Sequence, residues 1–340
     1  MKNLRGFDKL IFVVNSLMAF VLLLSYVLPF MATKQFAILS VLSLAVPALI
    51  IINILFAVYW LLNVKRQLLL SLIVLVIGYN HVFSLYKFSS SKNVDDSQNI
   101  SVMNYNVRLF NAFNWIKDVN VKQDISDFIA EKQPDILCMQ EYRPDSEVLL
   151  EGYYKYEELS GKQVKNGQAI FTKFPIVNSG SIEFPNTSNN AIFADIVKGA
   201  DTIRIYNVHL QSLGIDPAME KLKEENSENL LKRVSSTFKM QQFQTELFLK
   251  HKKQCPYKMI ICGDFNNTAY SYVYKEIKGN LKDAFKQAGN GFGRTFDFKF
   301  FPVRIDFVLV DEGFKVNSFK TYDVKLSDHY PVMAKVKLEK

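Results

Sequence analysis

Six short apolar stretches of this sequence run straight into acids, amides or imidazoles. They are Asn104-Tyr105-Asn106-Val107, Met139-Gln140-Glu141, Tyr206-Asn207-Val208-His209, Ile261-Cys262-Gly263-Asp264-Phe265-Asn266, Arg304-Ile305-Asp306-Phe307 and Ser327-Asp328-His329. A carboxylate at the end of a buried strand is costly unless it is paired, hydrogen-bonded or bound to a cation. Brought to one sheet edge, the six places form a site for a metal ion and a phosphate. Asp264 and Asn266 stand two apart, so in an extended segment their side chains point the same way. Singly, each residue has a plainer use. Glu141 or Asp264 can cap a helix, His209 can be a structural histidine, and Asn106 can satisfy strand-end backbone groups. Only the set points to chemistry.

Positioning such a set needs strands, and from Ile100 the hydrophobic period supplies them. Residues 100–107 read as a strand, 119–132 as an amphipathic helix, and 135–140 as a short buried strand bounded by Pro134. Further strand-like runs are 168–171, 182–184, 191–197 and 202–208. Residues 217–251, rich in Lys, Glu, Gln and Leu, read as mostly helical, and strands return at 258–262, 303–310, 315–322 and 332–337. Many strands not strictly alternating with helices suggest two packed sheets flanked by helices. Of the three cysteines, Cys138 and Cys262 sit in apolar runs and read as buried thiols.

The first 88 residues are of another kind. They hold seven Lys/Arg and one acid, Asp8, so most of the formal charge of +8 sits there and the rest of the chain is close to neutral. That is poor ground for a nucleic-acid-binding face. Three apolar stretches, 10–30, 36–64 and 68–86, contain no Lys, Arg, Asp or Glu. At about 1.5 Å per residue each is long enough to cross about 30 Å of hydrocarbon. Their polar exceptions, Asn15, Asn53, Asn80 and His81, suit helix–helix hydrogen bonds or the interface, and Pro47 is expected to kink the second span. The first run ends Leu28-Pro29-Phe30-Met31, without the small-residue pattern of a cleavage site. Lys2, Arg5 and Lys9 precede the first span, Lys34 follows it, and Lys65 and Arg66 separate the second and third. This bias places the N-terminus in the cytoplasm and, after three crossings, the remainder outside the cytoplasmic membrane, although Lys87 and Lys92 oppose it. Residues 89–99, with three consecutive serines, read as a linker. The expected organisation is a membrane anchor (1–88), a linker (89–99) and a catalytic domain (100–340).

In this order, N-Y-N-V, Q-E, N-V-H-L, G-D-F-N, R-I-D-F and S-D-H resemble the endonuclease/exonuclease/phosphatase superfamily. That group includes pancreatic deoxyribonuclease, abasic-site endonucleases, bacterial sphingomyelinases and inositol polyphosphate 5-phosphatases. The resemblance covers about residues 100–338 and none of the membrane segment. It implies an α/β fold, a four-layer α/β/β/α sandwich, here preceded by three transmembrane helices. It also implies roles. Glu141 would be the principal Mg²⁺ ligand, with Asn106 and Asp328 near the same ion; hard oxygen ligands suit Mg²⁺ or Mn²⁺. Asp264 and Asn266 would orient or activate the attacking water and hold the phosphate. Asp306 would hydrogen-bond His329 and fix its tautomer. His209 would donate to a phosphate oxygen or protonate the leaving group. Asp264 and the Asp306–His329 pair both qualify as the base, the pair slightly ahead. Where membrane-linked relatives place an arginine three before a glutamine in the long helix, Lys239 precedes Gln242 here.

The expected function is a membrane-anchored, metal-dependent phosphoesterase that directs water in line at a phosphodiester or phosphomonoester. In-line attack gathers negative charge on oxygen, which a cation, imidazoles and an amide compensate. The anchor and the weak charge of the domain favour a lipid headgroup or small phosphodiester. A nuclease acting on extracytoplasmic nucleic acid is the alternative. An inactive membrane receptor or scaffold is the alternative of another class, and the presence of Glu141, Asp264, Asp328 and His329 speaks against it. Arg294 and Arg304 read as surface salt-bridging residues, and Phe296, Phe298, Phe300 and Phe301 as packing rather than a base-stacking platform.

Overall fold

The computed structural model describes residues 4, 6–88, 96–117, 119–144, 150–161, 165–214 and 226–339. Most of the expected linker, residues 217–225 of the expected long helix, and Lys2, Arg5 and Lys92 of the orientation argument lie outside them. The chain begins with helices α1 (Gly6–Ser25), α2 (Thr33–Ser40), α3 (Val46–Leu62), α4 (Leu68–Ile77) and α5 (Tyr79–Leu85). Two stretches, Gly6–Phe30 and Thr33–Leu62, are long and apolar enough to cross a membrane. The third expected span is not one straight helix: α4 and α5 meet at 81°. The break falls at Gly78, where an added Cβ would sit 2.0 Å from Cζ of Tyr26, so the tyrosine ring occupies the side-chain position and the chain turns beneath it. By itself α4 rises about 15 Å, roughly half a hydrocarbon core. The second span also departs from expectation. A 3₁₀ segment, Val41–Ala45, precedes α3, and Pro47 opens α3 instead of kinking a longer helix, where its missing N–H costs nothing.

Polar groups hold α1, α3 and α4 together. Trp60 Nε1 donates to Asn15 Oδ1 at 2.8 Å and Asn15 Nδ2 to Ser71 Oγ at 2.6 Å. Ser71 Oγ in turn donates to Asn53 Oδ1 at 3.3 Å. Tyr59 also donates to Asp8 at 2.9 Å, so α1 and α3 run antiparallel. Strand β1 (Tyr86–Lys87) leads out of this bundle.

The remainder adds β2 (Ile100–Asn106), α6 (Val121–Lys132), β3 (Ile136–Tyr142), β4 (Tyr154–Ser160), β5 (Asn166–Thr172), β6 (Ile176–Glu183), β7 (Asn190–Lys198) and β8 (Asp201–His209). After these come α7 (Ser227–Lys252), β9 (Lys258–Asp264), α8 (Tyr272–Lys278), β10 (Lys282–Asp283), α9 (Ala284–Ala288), β11 (Gly291–Phe292), β12 (Asp306–Val310), β13 (Phe314–Thr321) and β14 (Val332–Leu338). Two six-stranded sheets result, ordered β13-β14-β2-β3-β5-β4 and β10-β12-β9-β8-β7-β6, while β1 pairs with β11. The pairs β2–β3 and β8–β9 are parallel and their neighbours antiparallel.

Alternation along the strands divides the core. Val102, Ile136 and Cys138 from the first sheet share one buried cluster with Ile205, Ile260 and Cys262 from the second. Their chain neighbours face the other way. Met103, Leu137 and Met139 pack with Ile125 and Ile129 of α6. Tyr206, Ile261 and Phe307 pack with Phe248 of α7 and Val273 of α8. The fold is thus mixed α/β, two sheets with helices against them. Cys138 and Cys262 are buried free thiols. Arg304 is not the surface residue expected: it is buried and pairs at 2.8 Å with Asp283, which caps α9.

Candidate active site

The register brings the polar ends of the strands to one edge. Asn106 lies opposite Gln140, His209 opposite Asp264, and Asp264 opposite Asp306. Parallel strands finish there, and the antiparallel β12 and β14 start there. Asp264 is the hub. Its Oδ2 accepts from Asn106 Nδ2 at 3.0 Å and lies 3.6 Å from His329 Nε2 and 3.8 Å from His209 Nε2. Its Oδ1 accepts from the Asn266 N–H at 2.8 Å. His329 Nδ1 meets Asp306 Oδ2 at 2.9 Å.

Glu141 reaches this group through an irregularity. The β3–β5 register slips between Met139 and Tyr142, and Glu141 takes φ 50°, a conformation that is strained for a residue with a Cβ. Its Oε1 accepts from Asn106 Nδ2 at 3.3 Å. Two carboxylates, the half-buried Glu141 and the buried Asp264, thus share one amide. Asp328 stands beside them, 3.3 Å from Arg108 Nε.

Burial governs the charges. It pushes the Asp264 carboxyl up to about 7, against the pull of the His329 cation, and it also raises Glu141. At His329 burial opposes the cation, but the Asp306 and Asp264 carboxylates outweigh it and hold the ring's pKa well above its ordinary value. His209 shifts the other way. Burial and the neighbouring His329 cation push it down to about 3, so it is neutral at ordinary pH. Its Nε2 is buried with no hydrogen-bond partner among the described residues.

All eight residues singled out from the sequence therefore gather at one edge, with one difference of posture. Asn266 is not extended: it has φ 48°, and its amide nitrogen donates to the Leu210 carbonyl at 2.9 Å. Its side chain does not run alongside that of Asp264. Asp264, Asp306 and His329 offer ligand atoms within 4.8 Å of one another, but Asp306 and His329 already satisfy each other. A hard cation is better placed at Glu141, which is half-buried, lines the cavity and has only the shared Asn106 amide as a hydrogen-bond donor among the described residues.

Sequence reasoning missed the residues beneath and beside the site. Gln140 Nε2 donates to Asn104 Oδ1 at 2.8 Å within the first sheet, and its bond to Asn207 Oδ1, with that of Asn207 Nδ2 to the Met139 carbonyl at 2.8 Å, ties the two sheets below the acids. Asn104 is two before Asn106 on one strand, a spacing that could have placed it on the same face. Thr295 Oγ1 accepts from the N–H groups of Ile305 and Asp306, and nothing in the sequence near Thr295 marks it. A cavity of about 150 Å³ opens above Glu141, Asp328 and His329, and Leu44 from the N-terminal region lines it.

Residues 103–329 match a family model described as the endonuclease/exonuclease/phosphatase family, and residues 8–85 match a domain described only as of unknown function. No curated protein matches. Among solved structures, an endonuclease/exonuclease/phosphatase from Bacteroides vulgatus aligns with TM-score 0.54 and 22% identity over 71% of this chain and 99% of that one. The human Nocturnin catalytic domain with bound sulfate aligns with TM-score 0.52 and 21% identity over 71% and 94%. D. rerio TDP2 in complex with a single-strand DNA product aligns with TM-score 0.52 and 16% identity over 71% and 100%.

Proposed function

From the premise that this chain belongs to the endonuclease/exonuclease/phosphatase family and is a hydrolytic phosphoesterase, we propose that it is a membrane-anchored, Mg²⁺- or Mn²⁺-dependent enzyme acting on a lipid headgroup or small phosphodiester outside the cytoplasmic membrane. The observation that carries the reading is the Asn106 amide bridging Glu141 and Asp264, with His329 set between Asp264 and Asp306. Glu141 would hold the divalent ion, with Asp328 beside it; Asn106 would join only through its Oδ1, which accepts from the Arg108 N–H at 3.0 Å while its Nδ2 faces the two acids. When bound, such an ion offsets charge on the phosphoryl oxygens and favours ionised acids nearby.

The chain's own groups divide the remaining work. His329, flanked by carboxylates on both ring nitrogens, stays protonated and meets the negative phosphate. That favours Asp264 over the Asp306–His329 pair as the acceptor of the water's proton. His209 is neutral, so it donates an N–H hydrogen bond to a phosphate or leaving-group oxygen and does not act as a cationic acid. Asn266 is a positioning residue, because its N–H orients Asp264 while its amide is committed to Leu210.

The three buried clusters support reading the domain as a four-layer α/β/β/α sandwich. Orientation rests on Lys9, Lys65 and Arg66. They lie at the end of the helices marked by Asp8, Tyr59 and Trp60, away from the sheets. Three crossings require the bent α4–α5 pair to complete the third. A nuclease is the second reading, with the DNA complex of the TDP2 relative behind it at the level of the fold. The full chain, purified in detergent with Mg²⁺, is expected to hydrolyse bis-nitrophenyl phosphate and phospholipid in preference to plasmid DNA or RNA, and to stop in EDTA. Full activity in EDTA overturns the reading.

A further inference from the structure

We propose that the anchor supplies one wall of the substrate cavity, and that the site takes a phosphate ester bearing a long apolar chain, drawn from the bilayer. This inference rests on the phosphoesterase reading and adds the substrate class to it. The cavity has two characters. Its lining combines Glu141, Asp328 and His329 with Leu44, Leu213, Phe298 and Phe301. Leu44 belongs to the 3₁₀ segment Val41–Ala45, and α3 begins at Val46, two residues further on. Leu44 therefore joins the cavity to the apolar helix α3, whose Leu55, Leu61 and Leu62 are exposed further along, toward its other end.

This wall is fixed, not incidental. Thr268 Oγ1, two residues beyond Asn266, donates to the Ser43 carbonyl at 3.1 Å. Val41 and Leu44 pack against Leu213, Val234 and Phe238. Upstream, the Thr33 hydroxyl shares its one proton between Gln242 Oε1 at 2.9 Å and the Phe238 carbonyl at 3.1 Å, and Gln242 Oε1 also accepts from the Lys34 N–H at 2.7 Å. Lys34 also pairs with Glu246. The glutamine of the long helix, noted in the sequence for what precedes it, thus holds the anchor against the domain.

The chemistry of the lining selects against a polynucleotide. A bound strand needs cations for several phosphates, and no Lys or Arg lines the cavity among the described residues. Leucine and phenylalanine side chains reward burial of methylene groups instead, at several-fold in affinity per CH₂. Phe298 packs edge-on against both Phe300 and Phe301, and Phe300, 64% exposed, forms an apolar rim on the same loop. A lipid lying with its phosphate at Glu141 and its chain along Leu44 meets matching surface at both ends.

The test uses the full chain in phosphatidylcholine nanodiscs with Mg²⁺ and two matched pairs of esters. These are methyl and dodecyl phosphate, and p-nitrophenyl methyl and p-nitrophenyl dodecyl phosphate. In whichever ester type is cleaved, kcat/KM for the dodecyl compound is expected to exceed that for the methyl compound by about 10²-fold. Leu44→Asp should lower that ratio about tenfold, and so should Leu213→Asp on a separate segment, while Leu44→Val keeps it. Because the ratio is compared between the wild-type chain and its variants in the same discs, partitioning of the dodecyl ester cancels from the effect of each substitution. Three results overturn the inference while leaving the phosphoesterase reading intact: equal turnover of the two chain lengths, a ratio unmoved by both aspartates, or faster cleavage of a single-stranded oligonucleotide. Absence of Mg²⁺-dependent hydrolysis of every ester and of the oligonucleotide overturns the phosphoesterase reading itself.

Discussion

Asp264 Oδ2 faces the Asn106 amide and two imidazoles at once, and that crowding sets the pH behaviour. A carboxyl held near 7 by burial gains its charge as pH rises through that value. The rising limb of kcat/KM is therefore expected at or below about pH 7, lower as Mg²⁺ saturates. The fall should come only well above the ordinary histidine range, where His329 gives up its proton. A pH–rate profile that declines between pH 5 and 7 contradicts Asp264 as base. His329→Ala should leave metal affinity nearly unchanged and lower kcat by about 10²–10⁴-fold. Asp306 is buried against Nδ1 of the ring, so Asp306→Asn should share that defect. The double variant should then be little worse than His329→Ala alone, a comparison that single-turnover kinetics can make. Glu141→Gln keeps the shape and removes the charge: half-saturation by Mg²⁺ should rise, with activity partly recovered at high Mg²⁺.

The strands that hold these residues depend on small local features. Gly263, one before Asp264, has φ 152°, and an added Cβ would lie 2.0 Å from the Val208 carbonyl oxygen of the paired strand. Gly263→Ala must push β8 and β9 apart just where His209 and Asp264 are opposed. A loss of about 1–3 kcal/mol in denaturant unfolding, with activity falling further than stability, is the expected outcome. Most of β2, β3, β7, β8, β9, β13 and β14 was legible because apolar alternation and buried runs announce strands. The exposed edge strand β4, Tyr154–Ser160, was not, since its charged residues carry no such pattern. Neither was the left-handed turn at Glu141, because nothing in Met-Gln-Glu-Tyr announces a register slip. The six motifs disclosed which residues meet. That Asn266 turns to Leu210, that Gly78 ends α4, and that Leu44 reaches the cavity are facts of packing between segments far apart in sequence.

At the scale of the whole molecule, the helices stand with Lys9, Lys65 and Arg66 at one end and the sheets at the other. A fluorescent protein that matures only in the cytoplasm, fused after residue 340, should stay dark, and a periplasmically activated phosphatase at the same position should be active. The opposite pattern reverses the topology. The sheet order carries one more consequence. β2, the first long strand made, pairs on one side with β14, and Ser327 bonds to the Asn106 carbonyl across 221 positions of sequence. Pairings between such distant segments form slowly, since closing so long a loop costs entropy before any contact repays it. A chain still emerging from the ribosome has its anchor helices and Glu141 but not His329. On the proposed site, hydrolytic competence is expected only at the close of synthesis, when His329 has joined Glu141, and a polypeptide interrupted before β14 is expected to be inert.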